Sequence, residues 1–295
     1  MDFVRTPDDR FSQLKDWPYA PKYLAYRNMR MHYVDEGEGE VVLALHGEPS
    51  WAYLYRKFIP VLSPHNRFVV PDLLGFGRSD KPTRVADYTY QFHYDSLIHF
   101  IERLELRNIT LVVQDWGGLL GLGILGKQPE WFKRVVVMNT FLPKGSSLGP
   151  AFSIWQAAMK HIPNPPISRV MKLGIHRAEH KTPEVLAAYT APFPGKKYKA
   201  GAKAFPGLVP GKPNHPTVPW MLQARETLKA WDKPAMVLFS DKDAVTSKAR
   251  GWFTHNIPTA KQEENPIIKD AGHFLQEENG EEIAGYIHDF IQRHP

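Results

Sequence analysis

The chain has 295 residues, 43% hydrophobic and 23% charged, which suits one large globular domain carrying an insertion. It contains no cysteine, which excludes disulfides, thiolate metal sites and a cysteine nucleophile and makes a reducing cytoplasm the expected compartment. No apolar run approaches the roughly 20 residues of a membrane span, and the polar start from Met1 to Arg10 lacks the apolar region of a secretory signal.

In chain order, Met29–Asp35 reads as an early antiparallel strand. Val41–Leu45, Phe68–Pro71, Ile109–Gln114, Val135–Met138 and Ala235–Phe239 are short, β-branched apolar runs. Each ends in a polar or glycine-containing turn, the pattern of strands buried in a parallel sheet. Tyr94–Leu104 and Leu119–Lys127 have helical composition, and Glu281–Gln292 closes the chain with Ile283, Tyr286, Ile287 and Phe290 at helical spacing. Alternating strands and helices predict a mostly parallel, twisted α/β sheet flanked by helices.

One stretch departs from this alternation. Pro143 to Pro219 holds 13 of the 26 prolines, a density that predicts short helices joined by stiff loops. Pro143 to Ala230 also carries 13 Lys/Arg against 3 Asp/Glu, a local net of +10 in a chain of net +6, leaving −4 elsewhere. No aromatic-interleaved motif accompanies the charge, so nucleic acid is not an expected partner. It reads as a solvated basic surface with a weak pull on small anions. The expected organisation is a core of residues 1–142 and 231–295 with a helical cap, 143–230, over the C-terminal edge of the sheet, where ligands bind in open α/β folds.

The run Leu111-Val112-Val113-Gln114-Asp115-Trp116-Gly117-Gly118 takes an apolar strand into a charged residue with small neighbours and then into a helix. That is the pattern of a nucleophile elbow, with Asp where serine is familiar. A helix-capping Asp is the alternative, and the companions decide against it. Ser240-Asp241-Lys242-Asp243 supplies an acid at a strand end, and Asp270-Ala271-Gly272-His273-Phe274 a histidine before the last helix, in the chain order nucleophile, acid, base. Asp243 is preferred to Asp241 and Asp270 because of its place in the turn, with Ser240 standing where glycine is usual. His46 reads as a turn residue.

An Asp nucleophile suits saturated carbon. A serine displacing a leaving group there would form an ether, which water does not readily cleave. A carboxylate forms an ester whose carbonyl belongs to the enzyme, and water activated by His273 can hydrolyse it. The oxyanion formed needs backbone N–H donors, for which Glu48 and Trp116 are the natural pair. A departing halide needs donors in a dry pocket, and the indole of Trp116 lies beside the nucleophile. A second indole is expected from the cap. Trp155 is the only tryptophan in its first half, with core packing as the competing reading and Trp220 as the fallback. Epoxide opening would instead need phenols, and Tyr189 and Tyr198 keep that alternative open.

Three runs, His46-Gly47-Glu48-Pro49-Ser50-Trp51, Pro71-Asp72-Leu73-Leu74-Gly75-Phe76-Gly77-Arg78-Ser79-Asp80-Lys81-Pro82 and Val113-Gln114-Asp115-Trp116-Gly117-Gly118, resemble the haloalkane dehalogenases of the α/β-hydrolase superfamily. Asp8-Asp9-Arg10-Phe11 and Ala191-Pro192-Phe193-Pro194 extend the likeness over nearly the whole chain. Glu48 stands where other subfamilies carry a halide-holding Asn, and Met138-Asn139-Thr140 offers no acid. Both departures point to the subfamily with two halide-binding tryptophans and an Asp acid after the later strand. The resemblance implies an α/β-hydrolase fold with Asp115 as nucleophile, His273 as base, Asp243 as its partner, and Trp116 and Trp155 as halide donors. It also implies an apolar pocket from Leu119, Phe152, Phe205, Pro206, Val209 and Val245. Gly75-Phe76-Gly77 lacks the Lys-Ser/Thr of a phosphate loop.

The expected activity is cofactor-free and metal-free hydrolysis of haloalkanes to alcohol, halide and proton, by a monomer whose partners are the substrate and the halide ion. An epoxide hydrolase is the rival enzyme, and a receptor that keeps the fold without turnover is the rival of another class.

Overall fold

A computed structural model describes residues 1–146, 149, 152, 156–157, 159 and 161–295. Its centre is an eight-stranded sheet. In chain order the sheet strands are β2 (Lys22–Tyr26), β3 (Met29–Glu36), β4 (Val41–Leu45), β5 (Arg67–Pro71), β7 (Ile109–Gln114), β8 (Phe132–Met138), β9 (Ala235–Ser240) and β10 (Ile267–Ile268). β1 (Phe3–Val4) and β6 (Lys81–Pro82) pair separately. The spatial order is β10-β9-β8-β7-β4-β5-β3-β2, with β2 and β3 antiparallel at one side and the rest parallel. Every residue of β7 and β9 is buried, which is why those segments are continuous apolar runs rather than alternating ones.

The register brings the ends of the central strands to one level. Leu45 pairs with Val113, Gln114 with Met138, Met138 with Leu238 and Ser240 with Ile268. The turns that follow, from His46, Asp115, Asn139 and Asp241, therefore open side by side at the carboxyl edge.

The helices whose full extent is described are α1 (Ile59–Leu62), α2 (Tyr90–Arg103), α3 (Trp116–Leu125), α4 (Ile167–Gly174), α5 (Pro183–Thr190), α6 (Ala200–Leu208), α7 (Val218–Lys229), α8 (Arg250–Asn256) and α9 (Leu275–Arg293). All ten residues of α3 are buried, as a helix apolar on every side must be. It packs between α2 and α7. The proline-dense stretch holds α4 to α7, of 8, 8, 9 and 12 residues.

Three helix starts differ from the sequence expectation, each for a local reason. α2 begins at Tyr90, four residues early, because Thr89 Oγ1 accepts the Phe92 N–H at 3.0 Å as an N-cap. α3 begins at Trp116, three residues before the expected Leu119, because Gly117 and Gly118, small enough to pack against β4 and Thr140, lie inside it. α9 begins at Leu275, and the expected start near Glu281 follows a break at Asn279, where the backbone leaves helical angles.

A buried ion pair joins α5, the start of α9 and the segment before α1. Both guanidinium Nη atoms of Arg56 reach the Glu277 carboxylate, at 2.7 and 2.6 Å, and Tyr189 Oη donates to the same group at 2.7 Å. Removing one partner of such a pair leaves a buried, uncompensated charge. Arg56→Met should therefore cost on the order of 3–5 kcal/mol. The check is a urea titration, in which the midpoint falls at unchanged slope; an unmoved midpoint would contradict the buried-pair account.

Candidate active site

Asp115 sits at the end of β7 with φ 51° and ψ −125°, a left-handed conformation costly for a residue with a Cβ. The bend is bolted in place. The Asp115 N–H donates to the Asn139 carbonyl at 3.0 Å, and its own carbonyl accepts from Gly118 N–H at 2.9 Å and Thr140 Oγ1 at 2.7 Å. Small neighbours are obligatory. A Cβ on Gly117 would lie 2.0 Å from the Leu45 carbonyl oxygen, and one on Gly47 2.2 Å from Asp115 Oδ1. The two glycines thus serve close approach: one lets α3 reach β4, the other lets the turn after β4 pass over the carboxylate.

That second turn delivers a donor. Glu48 N–H points at Asp115 Oδ1 at 2.8 Å, while Oδ2 lies 3.3 Å from His273 Nε2. The two carboxylate oxygens therefore face different partners. On the other side of the ring, His273 Nδ1 is 3.2 Å from Asp243 Oδ1. Asp115, His273 and Asp243 form one continuous chain of contacts. Of the competing acids, Asp241 accepts the Asp270 N–H at 2.8 Å, and Asp270 is solvent-exposed beside His176, so neither reaches the imidazole.

Asp243 is fully buried and held from three directions. Its Oδ1 accepts the Val245 N–H at 2.8 Å, and its Oδ2 accepts the Thr246 N–H at 3.1 Å and the Thr246 hydroxyl. Burial opposes its charge, but His273 and these donors outweigh burial and hold its pKa at about 2. Burial likewise opposes charge on His273, yet Asp243 and Asp115 push the imidazole up to about 10. Glu48 behaves oppositely: burial first, and then the neighbouring charge of Asp115, push its carboxyl well above the ordinary carboxylate range. A neutral Glu48 side chain keeps a second negative charge away from Asp115.

Gln114, the residue before the elbow, was not singled out in the sequence. Its Nε2 donates to the His273 carbonyl at 3.2 Å and lies 3.2 Å from His273 Nε2. Nε2 of the imidazole therefore has a partner in either state, accepting from Gln114 when neutral and donating toward Asp115 when protonated. Asn139 and Ser240 are further supports. Asn139 Nδ2 reaches the carbonyls of Gly272 and His273, both at 3.1 Å, and Ser240 Oγ donates to the Gly272 carbonyl at 2.6 Å. The available signal was position: each immediately follows or ends a central strand.

Trp116 opens α3, buried, with its ring 4.7 Å from that of Phe205 in a T-shaped contact. Trp155 lies outside the described residues. Trp220, in α7, packs on the buried Tyr94 and Tyr90 of α2 at 4.3 and 5.3 Å. Leu119 is buried in α3, Pro206 lies inside α6, Val209 is buried just beyond it, and the Phe152 ring is 6.4 Å from Phe141. Val245 is 56% exposed and borders an open cavity of about 240 Å³ with Asp243, His273 and Leu173. Tyr189 is engaged with Glu277, and the Tyr198 ring lies beside Lys197. His46 accepts the Leu73 N–H at Nε2, so Nδ1 carries the hydrogen donated to the Gly47 carbonyl. No cluster of potential metal ligands occurs among the described residues.

Fold and site together define an α/β hydrolase whose elbow presents a carboxylate, and residues 40–280 match the alpha/beta hydrolase fold family. The chain belongs to the haloalkane dehalogenases. It is 44% identical to a haloalkane dehalogenase of Mycolicibacterium paratuberculosis over 294 residues, covering 96% of each chain. It is 43% identical to that of Psychrobacter cryohalolentis over 304 aligned positions and the full length of both. A haloalkane dehalogenase of Paraglaciecola agarilytica, whose solved structure is described as tetrameric, superposes with a TM-score of 0.89 at 39% identity over 97% of each chain.

The sign of the pH dependence follows from the two shifts. His273 is raised from 6.5 to about 10, so its protonated form contributes stability that is complete below about pH 6.5 and lost as pH rises through 10. Asp243 is lowered from 3.8 to about 2, so its contribution is complete above about pH 4 and lost as pH falls through 2. Between pH 7 and 10 the urea midpoint should fall, and it should fall less in His273→Phe. Parallel curves for the two proteins would remove His273 as the source.

Proposed function

We propose that this chain hydrolyses carbon–halogen bonds of haloalkanes in two steps through a covalent ester on Asp115. The observation that carries the reading is the division of the Asp115 carboxylate between a backbone donor at Oδ1 and the imidazole at Oδ2. Oδ2 attacks the halogen-bearing carbon, the carbon–oxygen bond forms, and the halide leaves with the bonding pair. Trp116 and Trp155 supply the indole N–H donors for the halide, and Leu119, Phe152, Phe205, Pro206, Val209 and Val245 the apolar surroundings. Oδ1 becomes the carbonyl oxygen of the new ester. It already faces the Glu48 N–H, which with the Trp116 N–H forms the oxyanion hole.

Esterification also prepares the base. The Asp115 charge is one of the influences that raise the affinity of His273 for its proton. Asp243 is the larger influence and stays charged, but alkylation cancels the Asp115 charge and its hydrogen bond, so the imidazolium holds its proton less tightly and acts as a base once that proton passes to solvent. Asp243, still charged, keeps Nδ1 protonated and leaves Nε2 free to accept a proton from water. The resulting hydroxide attacks the ester carbonyl carbon. The tetrahedral oxyanion collapses, the departing alkoxide takes the proton of the newly added hydroxyl group and leaves as alcohol, and Asp115 is regenerated as a carboxylate carrying one oxygen from water, with His273 again protonated. No cofactor is required.

Residues 143–230 form the cap in this reading, with α7 seated on α3 of the core. The epoxide alternative is disfavoured by Tyr189, whose hydroxyl is committed to the Arg56–Glu277 pair. A cytoplasmic monomer completes the reading. Among the described residues no helix is long and apolar enough to cross a membrane. Light scattering should give 33.8 kDa, whereas a fourfold mass would assign it the tetramer described for the Paraglaciecola relative.

The covalent step is tested by trapping. His273→Phe incubated with a short bromoalkane should release about one bromide per protein and gain one alkyl group on the peptide containing Asp115, by mass spectrometry. The wild type should release bromide continuously and form little diol from styrene oxide. An unmodified peptide in the mutant, with the wild type still turning over, would contradict the assignment.

A further inference from the structure

The turn that carries His273 is tied to residues 174–177 of the inserted segment by a buried carboxylate. Glu278, in the first turns of α9, has a fully buried side chain. Its Oε1 accepts the backbone N–H of His176 at 2.9 Å and of Arg177 at 2.5 Å, and its Oε2 accepts the N–H of Gly272 at 2.7 Å. Gly272 immediately precedes the base. The Arg177 guanidinium lies 3.9 Å from Oε1 and also donates to the Glu278 carbonyl and, at 2.8 Å, to Asn279 Oδ1.

The two segments are in direct contact at this point. A Cβ on Gly272 would lie 2.4 Å from the Gly174 carbonyl oxygen and 2.9 Å from the His176 nitrogen. The Phe274 N–H donates to that same Gly174 carbonyl at 3.3 Å. The carbonyls of the histidine turn are held from the other side by Asn139, Ser240 and Gln114. Glu278 is the group that takes the Gly272 N–H.

We propose that Glu278 is a positioning residue for His273. It sets where the imidazole stands relative to Asp115 and couples that placement to the 174–177 segment. This rests on the reading of His273 as the base that hydrolyses the Asp115 ester. The three N–H groups need acceptors at both oxygens of the side chain, and only a carboxylate offers two. An amide is therefore not conservative here. In either orientation its NH₂ group meets a backbone N–H, at Gly272 or at His176 and Arg177, and the turn must shift. Displacing a catalytic group by about 1 Å can cost on the order of 100-fold in rate.

The base acts only in the second step, so the defect should fall there. Glu278→Gln, mixed rapidly with a short bromoalkane, should release its first equivalent of bromide at close to the wild-type rate. Its steady-state kcat should drop about 10- to 100-fold, with alkyl mass accumulating on the Asp115 peptide. Glu278→Asp keeps two acceptor oxygens on a stem one carbon shorter. It should show a smaller defect of the same kind, and it carries the test if the glutamine variant does not fold. Wild-type turnover without adduct in the variants would overturn the proposal. A parallel loss of burst and steady state would overturn it too, because that marks general support of the site rather than placement of the base. His273→Phe in the same series separates the two readings: an adduct there upholds the ester scheme whatever Glu278 does, and its absence removes that scheme instead.

Discussion

An imidazole held between two carboxylates is the interaction on which the rest of this site depends. Asp115 at 3.3 Å and Asp243 at 3.2 Å share His273, and together they outweigh the cost of charging a buried ring. The acids are not equivalent. Asp243 is fully buried and tied by Val245 and Thr246, so its charge is permanent over the working pH range. Asp115 is held by one backbone donor at Oδ1, sits at a strained bend and remains 13% exposed, with Oδ2 facing the imidazole. In the proposed scheme, consuming the charge of Asp115 is what turns its neighbour from an acid into a base, so the first step arms the second.

Much of this was legible in the sequence because buried parallel strands leave an unambiguous mark. Val41–Leu45 and Ile109–Gln114 match their strands residue for residue, and Asp115 and Asp243 lie in the turns that follow β7 and β9. The choice of Asp243 over Asp241 and Asp270 was a matter of spacing within a turn, and the structure brings Asp243 alone of these to the imidazole. Helix starts were less legible. Glycine carries the same letter whether it breaks a helix or lets one approach a strand, and at Gly117 it does the latter. The supports of the histidine turn were illegible for another reason. Gln114, Asn139 and Ser240 act on Gly272 and His273 from 32 to 159 positions away along the chain. No local pattern encodes such contacts.

In the proposed reading the inserted segment meets the core at the start of α9. Its Tyr189 would suit epoxide opening if the hydroxyl were free, but that hydroxyl completes a buried ion pair with Arg56 and Glu277. The next residue, Glu278, turns to the opposite task and grips the backbone of residues 176 and 177. Two adjacent carboxylates at the start of α9 thus join the segment to the core at two separate points. One contributes to stability through a paired charge and the other fixes the placement of a catalytic ring.

The central claim is that an oxygen of Asp115 becomes bonded to the substrate and is replaced by one from water. One turnover in heavy-oxygen water, with enzyme in excess over a bromoalkane, tests it directly. The account predicts unlabelled alcohol and one heavy oxygen in the Asp115 side chain, located by mass spectrometry of the proteolytic peptide. Labelled alcohol from that first turnover, with Asp115 unlabelled, would mean that water attacks the carbon itself and would contradict the account.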